Sequence, residues 1–493
     1  MADAGAGYRP QVAETHTGLV VLVGDLAYKV KKPVVTDFLD FSAVASRERA
    51  CAHEVMLNRR LAPDSYLGVA HFSRPQDSEP EPVIVMRRHS DDTRLATKVR
   101  RGEPVDGDLA AIAETLARFH ADARRGREID AQAGVDAVSA RWRDNLGELA
   151  RYARGPVPGL DPAQVAEIST LVTDFVAGRA VLFADRIAAS RIVDGHADLL
   201  ADDIFCLPGG PALLDCLEFD DRLRYLDVID DAAFLAMDLE FLGRPDLADV
   251  FIRCYRESSG DDAPEGLLHF YIAYRAGVRA KVDCVRYLQG HQESAEDARR
   301  HLDISLAHLR GSAVRLILVG GGPGTGKTTL ARSLAERLGA LSISSDDVRA
   351  GLVSSGALSG APGVLGAGLY TPENVETVYD DLLRQARLAL CGGRTVILDA
   401  TWHDPRHRQR ARDIAREVSA GIVELACIAP VEATIERIRA RTAATTSQVT
   451  PEIAAAMARR DDGTWAESKV LDTTKPLAET VAAAQDLCRQ PTT

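Results

Sequence analysis

The sequence predicts two unlike folded segments: an α+β segment built as two lobes, then an α/β segment with a doubly wound parallel sheet. Three observations carry this prediction. The chain has 493 residues, more than the roughly 100–200 that one hydrophobic core usually organises. Its β-like runs gather in the first part of the chain, and helical runs follow. From residue 312 onward a buried-strand pattern, a glycine loop and an amphipathic helix succeed one another, which is the strand–loop–helix order of a phosphate-binding loop.

Residues 18–23 and 26–30 flank Gly24-Asp25, a hairpin signal. Residues 43–61 read as a helix and 81–86 as another strand. From Asp108 helices dominate, beginning with 109–123. A strand-and-loop island spans 191–219, and 229–242 and 267–288 are helical again. Residues 290–311 join the segments through a helix, so the expected domains are 1–305 and 312–493. In the second, 314–319 is an apolar run holding a single arginine, a buried parallel strand. Residues 329–338 form the helix after the loop, 340–343 and 395–399 are further strands, and 431–441 is a helix followed by the polar stretch 442–450.

Composition narrows the classes. Hydrophobic residues at 46% and charged residues at 27% suit a soluble folded chain. No stretch approaches the roughly 18 apolar residues of a membrane helix, and the start of the chain lacks a basic-then-apolar leader pattern. The formal charge of −13 gives no global reason to bind a polyanion. The acid excess lies before residue 312, and the remainder is close to neutral. Eight scattered cysteines form no CxxC or Cys/His cluster, which reads as a reduced, cytoplasmic protein without structural zinc.

The most specific motif is Gly321-Gly322-Pro323-Gly324-Thr325-Gly326-Lys327-Thr328-Thr329. Its glycines let backbone N–H groups close around the phosphates of ATP, and the helix N-terminus adds a favourable dipole. Lys327 brings a point charge to those phosphates, and Thr328 offers a hydroxyl to Mg2+. Asp399 ends a buried strand, as a metal or water ligand would; the alternative is that it caps the next helix. Asp346 and Arg349 follow another strand, at the carboxyl ends where an open α/β sheet binds ligands. An aspartate there can accept a proton from a hydroxyl; the alternative is that Ser345 or Asp346 caps the next helix. Arg437, Arg439 and Arg441 end a helix and suit either a lid or the helix dipole.

This segment resembles the small P-loop kinases near polynucleotide kinase, gluconate kinase and zeta toxin. The resemblance implies Asp346 as the base that deprotonates the acceptor hydroxyl and Arg441 as the lid arginine. The acceptor is then a small molecule or a nucleotide end. The neutral charge argues against nucleic acid, which would need a basic groove at Arg406, Arg408, Arg410 and Arg412.

In the first segment, Gly195-His196-Ala197-Asp198 opens a loop that runs to Asp203-Ile204. A short strand then carries Asp215 and Glu218. Asp198 is placed to position or deprotonate a hydroxyl, and Asp203 and Asp215 to hold Mg2+. Lys29 on an early strand and Glu54 on the next helix suit an ion pair that orients phosphates, with Lys31 as the rival lysine. The alternative is that these are solvated turn and strand residues. His120 reads as a packed helical histidine, and Arg275 and Arg279 as a basic helix face, solvated or lining a cleft.

Together Lys29, Glu54, the Asp198 loop and Asp215 resemble the aminoglycoside phosphotransferase/choline kinase-like family, relatives of the protein kinases. The resemblance implies a protein-kinase-like two-lobe fold and ATP with Mg2+ as cofactors. Against the family loop, Ala197 replaces glycine, Leu200 a histidine and Asp203 an asparagine. An alanine at a position that needs positive φ would strain the loop. The expectation is a bifunctional ATP-dependent phosphotransferase acting on hydroxyl acceptors. The alternative is a nucleotide-responsive regulatory protein, with a silent first half and a slow ATPase or sensor in the second.

Overall fold

β-branched and aliphatic runs on either side of a Gly24 turn at φ 58° fold residues 18–31 into a hairpin of β2 (Gly18–Val23) and β3 (Leu26–Lys31). This is a computed structural model, and it describes residues 11–14, 18–34, 41–73, 79–361, 366–440 and 464–489. The chain divides into two compact units. One comprises residues up to 168 together with 184–263 and 270–308; the other comprises 169–183, 264–269 and 309 onward.

The first unit opens with a five-stranded antiparallel sheet in the order β1-β2-β3-β5-β4, where β1 is Gln11–Glu14, β4 Tyr66–Phe72 and β5 Glu81–Arg87. The helix Val44–Asn58 lays Cys51 and Val55 against Ile84 and Tyr66 of this sheet. The same turn carries Glu54 to the two lysines of β3. The remainder is helical. The Val228–Phe241 helix is buried almost all round, and Asp106–Asp122, Pro245–Ser259 and Glu265–Leu288 are the other long helices used below. The island inside it consists of two small antiparallel pairs. β6 (Ile192–Asp194) pairs with β9 (Tyr225–Asp227), and β7 (Ile204–Leu207) with β8 (Gly210–Leu213). This is the α+β, two-lobe architecture expected, with β1 and β4 as strands that the sequence reading did not resolve.

The second unit holds a five-stranded, all-parallel sheet in the order β11-β12-β10-β13-β14. The strands are β10 Arg315–Gly320, β11 Leu341–Ser344, β12 Val396–Asp399, β13 Gly421–Ile428 and β14 Lys469–Asp472. Alternation sends Leu316, Leu318, Val396 and Leu398 into one core and Ile317, Val319 and Ile397 into another, on the opposite face. Both faces are therefore covered, which is why these strands read as continuous apolar runs. The sheet is doubly wound, as expected. β10 and β12 are neighbours, so the loop after β10 and Asp399 at the end of β12 emerge side by side.

Candidate functional site

In the first unit the two lysines of β3 and the helix glutamate form one network. Lys29 Nζ lies 2.9 Å from Glu54 and 2.6 Å from Asp215. Lys31 Nζ lies 2.5 Å from the other Glu54 oxygen and 2.6 Å from Glu218. Glu54 is fully buried and bridges both lysines, so Lys31 is not a rival of Lys29 but a second anchor for the same carboxylate. Lys29 is the one that reaches Asp215, which opens to solvent with 42% of its side chain exposed. Lys29 in turn holds the Asp215 carboxyl below its usual range.

The Asp198 loop is held from beneath. Asp231, fully buried on the Val228–Phe241 helix, accepts the backbone N–H groups of His196 (2.7 Å) and Ala197 (2.8 Å) and the Nε2 of His120 (3.0 Å). His120 is fixed from its other side by the Tyr255 hydroxyl at 2.8 Å, so it is packed, as the sequence suggested, and positions Asp231. Ala197 adopts φ 69°, the conformation that makes a glycine the easier choice there. Asp215 is also left-handed, at φ 62°, so both ends of the constellation sit on strained backbone.

Arg275 corrects the expectation of a solvated basic face. It is 5% exposed and pairs with the buried Asp230 at 2.7 Å, while its other nitrogen donates to the Ala197 carbonyl at 3.3 Å. Sequence reasoning missed Asp230, Asp231 and Arg275 as loop supports; two adjacent aspartates inside the otherwise apolar run 228–237 were the available signal. Arg279, one turn beyond Arg275, is half-buried and stands near Asp198.

Asp198, Asp203 and Asp215 converge. The Asp203 carbonyl accepts the Leu214 N–H at 2.9 Å, which brings Asp203 beside the strand end that carries Asp215. Burial lifts the Asp198 carboxyl to about 6, with Asp215 adding to the rise and Arg279 opposing it. Burial also pushes the Asp203 carboxyl well up, and the Asp215 and Asp198 charges push it further. The Asp203 and Asp215 carboxylates offer hard oxygen donors, and a divalent cation held by them would relieve their repulsion. The Asp198 carboxylate has no hydrogen-bond partner among the described residues, so its oxygens are open to an incoming hydroxyl.

In the second unit the loop after β10 needs its glycines. Gly321 (φ 135°) and Gly324 (φ 82°) are left-handed, and a Cβ on either would come within 2.5 Å of the Cys427 carbonyl or 2.7 Å of the Thr434 carbonyl. The helix then starts at Lys327. Asp399 is buried, with its Oδ1 unpartnered. Burial raises its carboxyl; Lys327 and the Thr328 hydroxyl oppose this, and Asp346 adds to it. An orphaned buried oxygen beside Thr328 fits a hard cation held by Thr328 and Asp399.

Asp346 accepts from Arg349 at 2.7 Å, and the Arg349 guanidinium lies over the Tyr370 ring at 4.6 Å. The helix cap is Ser344, whose hydroxyl accepts the Asp346 N–H at 3.2 Å, and not Ser345 or Asp346. The Asp346 carboxylate thus pairs with Arg349 and not with its helix terminus, and its charge is felt at Asp399. Arg437 does not hang free as part of a lid. It donates to the Gly324 carbonyl (3.4 Å) and to Thr473 (2.7 Å to the carbonyl), bracing the phosphate-binding loop. Arg441 and the stretch after it lie outside the described residues.

Three of the four arginines that a nucleic-acid groove would need are paired with carboxylates. Arg406 pairs with Asp404, Arg410 with Glu376 and Asp380, and Arg412 with Glu424 and Glu467. Arg408 lies over the Trp465 ring and donates to the His403 carbonyl at 3.0 Å. Trp142 and Trp402 are buried core residues, in keeping with packing roles. Among the described residues no helix is long and apolar enough to cross a membrane.

Residues 316–462 match the AAA_33 family model, described as an AAA domain. Over 478 residues the chain is 56% identical to "Uncharacterized protein Rv2004c" of Mycobacterium tuberculosis, covering 97% of this chain and 95% of the relative. Among solved structures, a choline/ethanolamine kinase family protein from Mesorhizobium loti is similar at 16% identity and a TM-score of 0.39. It covers 62% of this chain and 94% of its own. A putative kinase from Chloroflexus aurantiacus is similar at 20% identity and a TM-score of 0.30, covering 35% of this chain and 98% of its own.

Proposed function

For a chain that belongs to one family with the Mycobacterium tuberculosis protein it matches over 97% of its length, we propose a bifunctional ATP-dependent phosphotransferase. Its domains are residues 1–305 and 312–493, and each moves the γ-phosphoryl of ATP to a hydroxyl. The observation that carries this reading is the meeting of Lys29, Glu54 and Asp215 from three separate segments, 2.6–2.9 Å apart, beside a loop whose Asp198 carboxylate is unpartnered.

In the first domain Lys29, held by Glu54, orients the ATP phosphates. Asp203 and Asp215 would hold Mg2+, and in the second domain Thr328 and Asp399 would do so. When bound, the cation supplies charge neutralisation on the phosphates. Asp198 takes the proton of the acceptor hydroxyl as that oxygen bonds to phosphorus and ADP leaves. Its raised pKa makes it a better proton acceptor than an ordinary carboxylate while leaving it ionised at neutral pH. In the second domain the backbone of residues 321–329 cradles the phosphates and Lys327 neutralises them. Asp346 serves as the base, oriented by Arg349; Arg441 serves as the lid arginine. The paired state of Arg406, Arg410 and Arg412 favours a small-molecule acceptor over a nucleic-acid end.

Calorimetric titration of the full chain with a non-hydrolysable ATP analogue and Mg2+ tests the reading. Two sites per chain are expected, with Lys29→Ala removing one and Lys327→Ala the other. A single site, lost with Lys327→Ala and untouched by Lys29→Ala, would favour the regulatory alternative with a silent first half.

A further inference from the structure

A cavity of about 600 Å³ lies in the first unit beside the C-terminal end of the helix that carries Glu54. Its walls come from Val44–Asn58 and the residues after it, from Asp106–Asp122, and from Asp194 at the end of β6. Its floor is apolar, with Met56, Leu57, Leu61 and Phe119. Three arginines, Arg60, Arg118 and Arg124, face two aspartates, Asp122 and Asp194.

Arginines outnumber aspartates in this lining, three to two. Asp194 is shared by three guanidinium groups: Arg224 at 2.9 Å, Arg60 at 3.3 Å and Arg124 at 3.7 Å. Arg118 has an exposed helical pairing with Glu114, at 3.6 Å, worth little in water, and donates to the Thr115 hydroxyl at 3.3 Å. The size suits a small ligand, and the lining asks for an apolar body with an anionic head.

Arg60 ties this cavity to the Asp198 loop. It donates to the Asp194 carbonyl (3.0 Å), the Gly195 carbonyl (2.9 Å) and the Cys216 sulfur (3.2 Å), and stacks on Phe119 at 5.0 Å. Those acceptors directly precede His196 and directly follow Asp215. All three are neutral, the carboxylate that Arg60 pairs with, Asp194 at 3.3 Å, is shared with two other guanidinium groups, and a charge-assisted bond to an anion is roughly twice as strong as a neutral one. We propose that this cavity is a regulatory site for a small amphiphilic anion, a carboxylate or phosphate on an apolar or aromatic body. Its head pairs with Arg118 and Arg124 and draws Arg60 off the carbonyls that hold the Asp198 loop, so that occupation loosens the loop.

The inference stands or falls by binding and by loop dynamics, independently of whether either domain transfers a phosphoryl group. The probe is phenyl phosphate, titrated into the full chain with ADP and Mg2+ present to fill nucleotide sites. Inorganic phosphate and benzyl alcohol are the comparators. Phenyl phosphate is expected to bind at one site per chain, with both comparators at least tenfold weaker. Amide exchange of residues 195–203 should rise on binding. Arg118→Gln with Arg124→Gln should weaken binding about tenfold or more, and Thr115→Trp, which fills the cavity, should abolish it. A melting temperature close to that of the parent shows that each variant is folded. Lys327→Ala should leave binding intact. Equal binding of inorganic phosphate, persistence of binding in Thr115→Trp, or no binding by any probe overturns the site. Binding with unchanged or slower exchange at 195–203 overturns the coupling through Arg60.

Discussion

Replacing Asp231 by alanine removes one carboxylate from beneath the Asp198 loop and strands three partners at once. The carboxylate accepts two backbone N–H groups at 2.7 and 2.8 Å and an imidazole nitrogen at 3.0 Å, with no exposure to water. Hydrogen bonds to a charged group contribute about 1.5–3 kcal/mol each. They are not additive within one network, so the expected loss is about 3–5 kcal/mol. For a unit of this size that lowers the melting transition by about 6–12 °C. The loop pays first: Ala197 at φ 69° keeps its strained backbone only while its N–H is held. Exchange of the His196 and Ala197 amides should therefore accelerate about a hundredfold or more. The sign with pH is fixed by the depressed pKa of Asp231, produced by its hydrogen bonds and the nearby histidines against its burial. Its stabilisation is complete above about pH 4 and fades as pH falls, so wild type and variant should converge in acid. Scanning calorimetry and amide exchange at neutral and acid pH measure both effects. A loss below about 1 kcal/mol, the scale of an ordinary surface substitution, or a difference that grows in acid would refute the reasoning.

The other expectations concern the two sites. Lys327→Ala should abolish nucleotide turnover by the second domain, by a factor of about a hundred or more, with the melting temperature unchanged; steady-state ADP release checks it. Asp198→Ala should depress kcat of the first domain with ATP affinity kept, whereas Asp215→Ala should also weaken Mg·ATP binding, and equal effects would dismiss the separate roles. Asp203→Asn removes one charge from a crowded trio, so it should keep activity but raise the Mg2+ needed for half-maximal rate. With the Asp198 carboxyl lifted to about 6, the base form is lost as pH falls, and the first domain's rate should drop below that pH in a pH–rate profile.

What the sequence made legible was what is contiguous or periodic. The phosphate-binding loop reads from nine consecutive residues, and the doubly buried strands β10 and β12 from unbroken apolar runs. The Lys29–Glu54 pair was readable only together with the Asp198 loop and Asp215, through the family they resemble, since a charged strand residue by itself is more often solvated. What escaped was compensation from a distance. Arg406 to Arg412 look like a basic groove until Glu376, Asp380 and Glu424 arrive from other elements. Arg275 looks solvated until Asp230 is packed against it. The cap on the Ser345–Ser354 helix moved by one residue because serine and aspartate compete for it over three positions. The strands β1 and β4 carry mixed polar and apolar residues at the sheet edges, where one-sided burial leaves a weak pattern.

Acceptor-dependent ADP release is the most direct test of two phosphotransfer sites. The full chain and its Asp198→Ala and Lys327→Ala variants would be screened against a panel of hydroxyl compounds. The account predicts one class of acceptor whose ADP signal vanishes with Asp198→Ala and survives Lys327→Ala, and a second class with the reverse dependence. ADP release that no acceptor stimulates, and that disappears with Lys327→Ala alone, would contradict it.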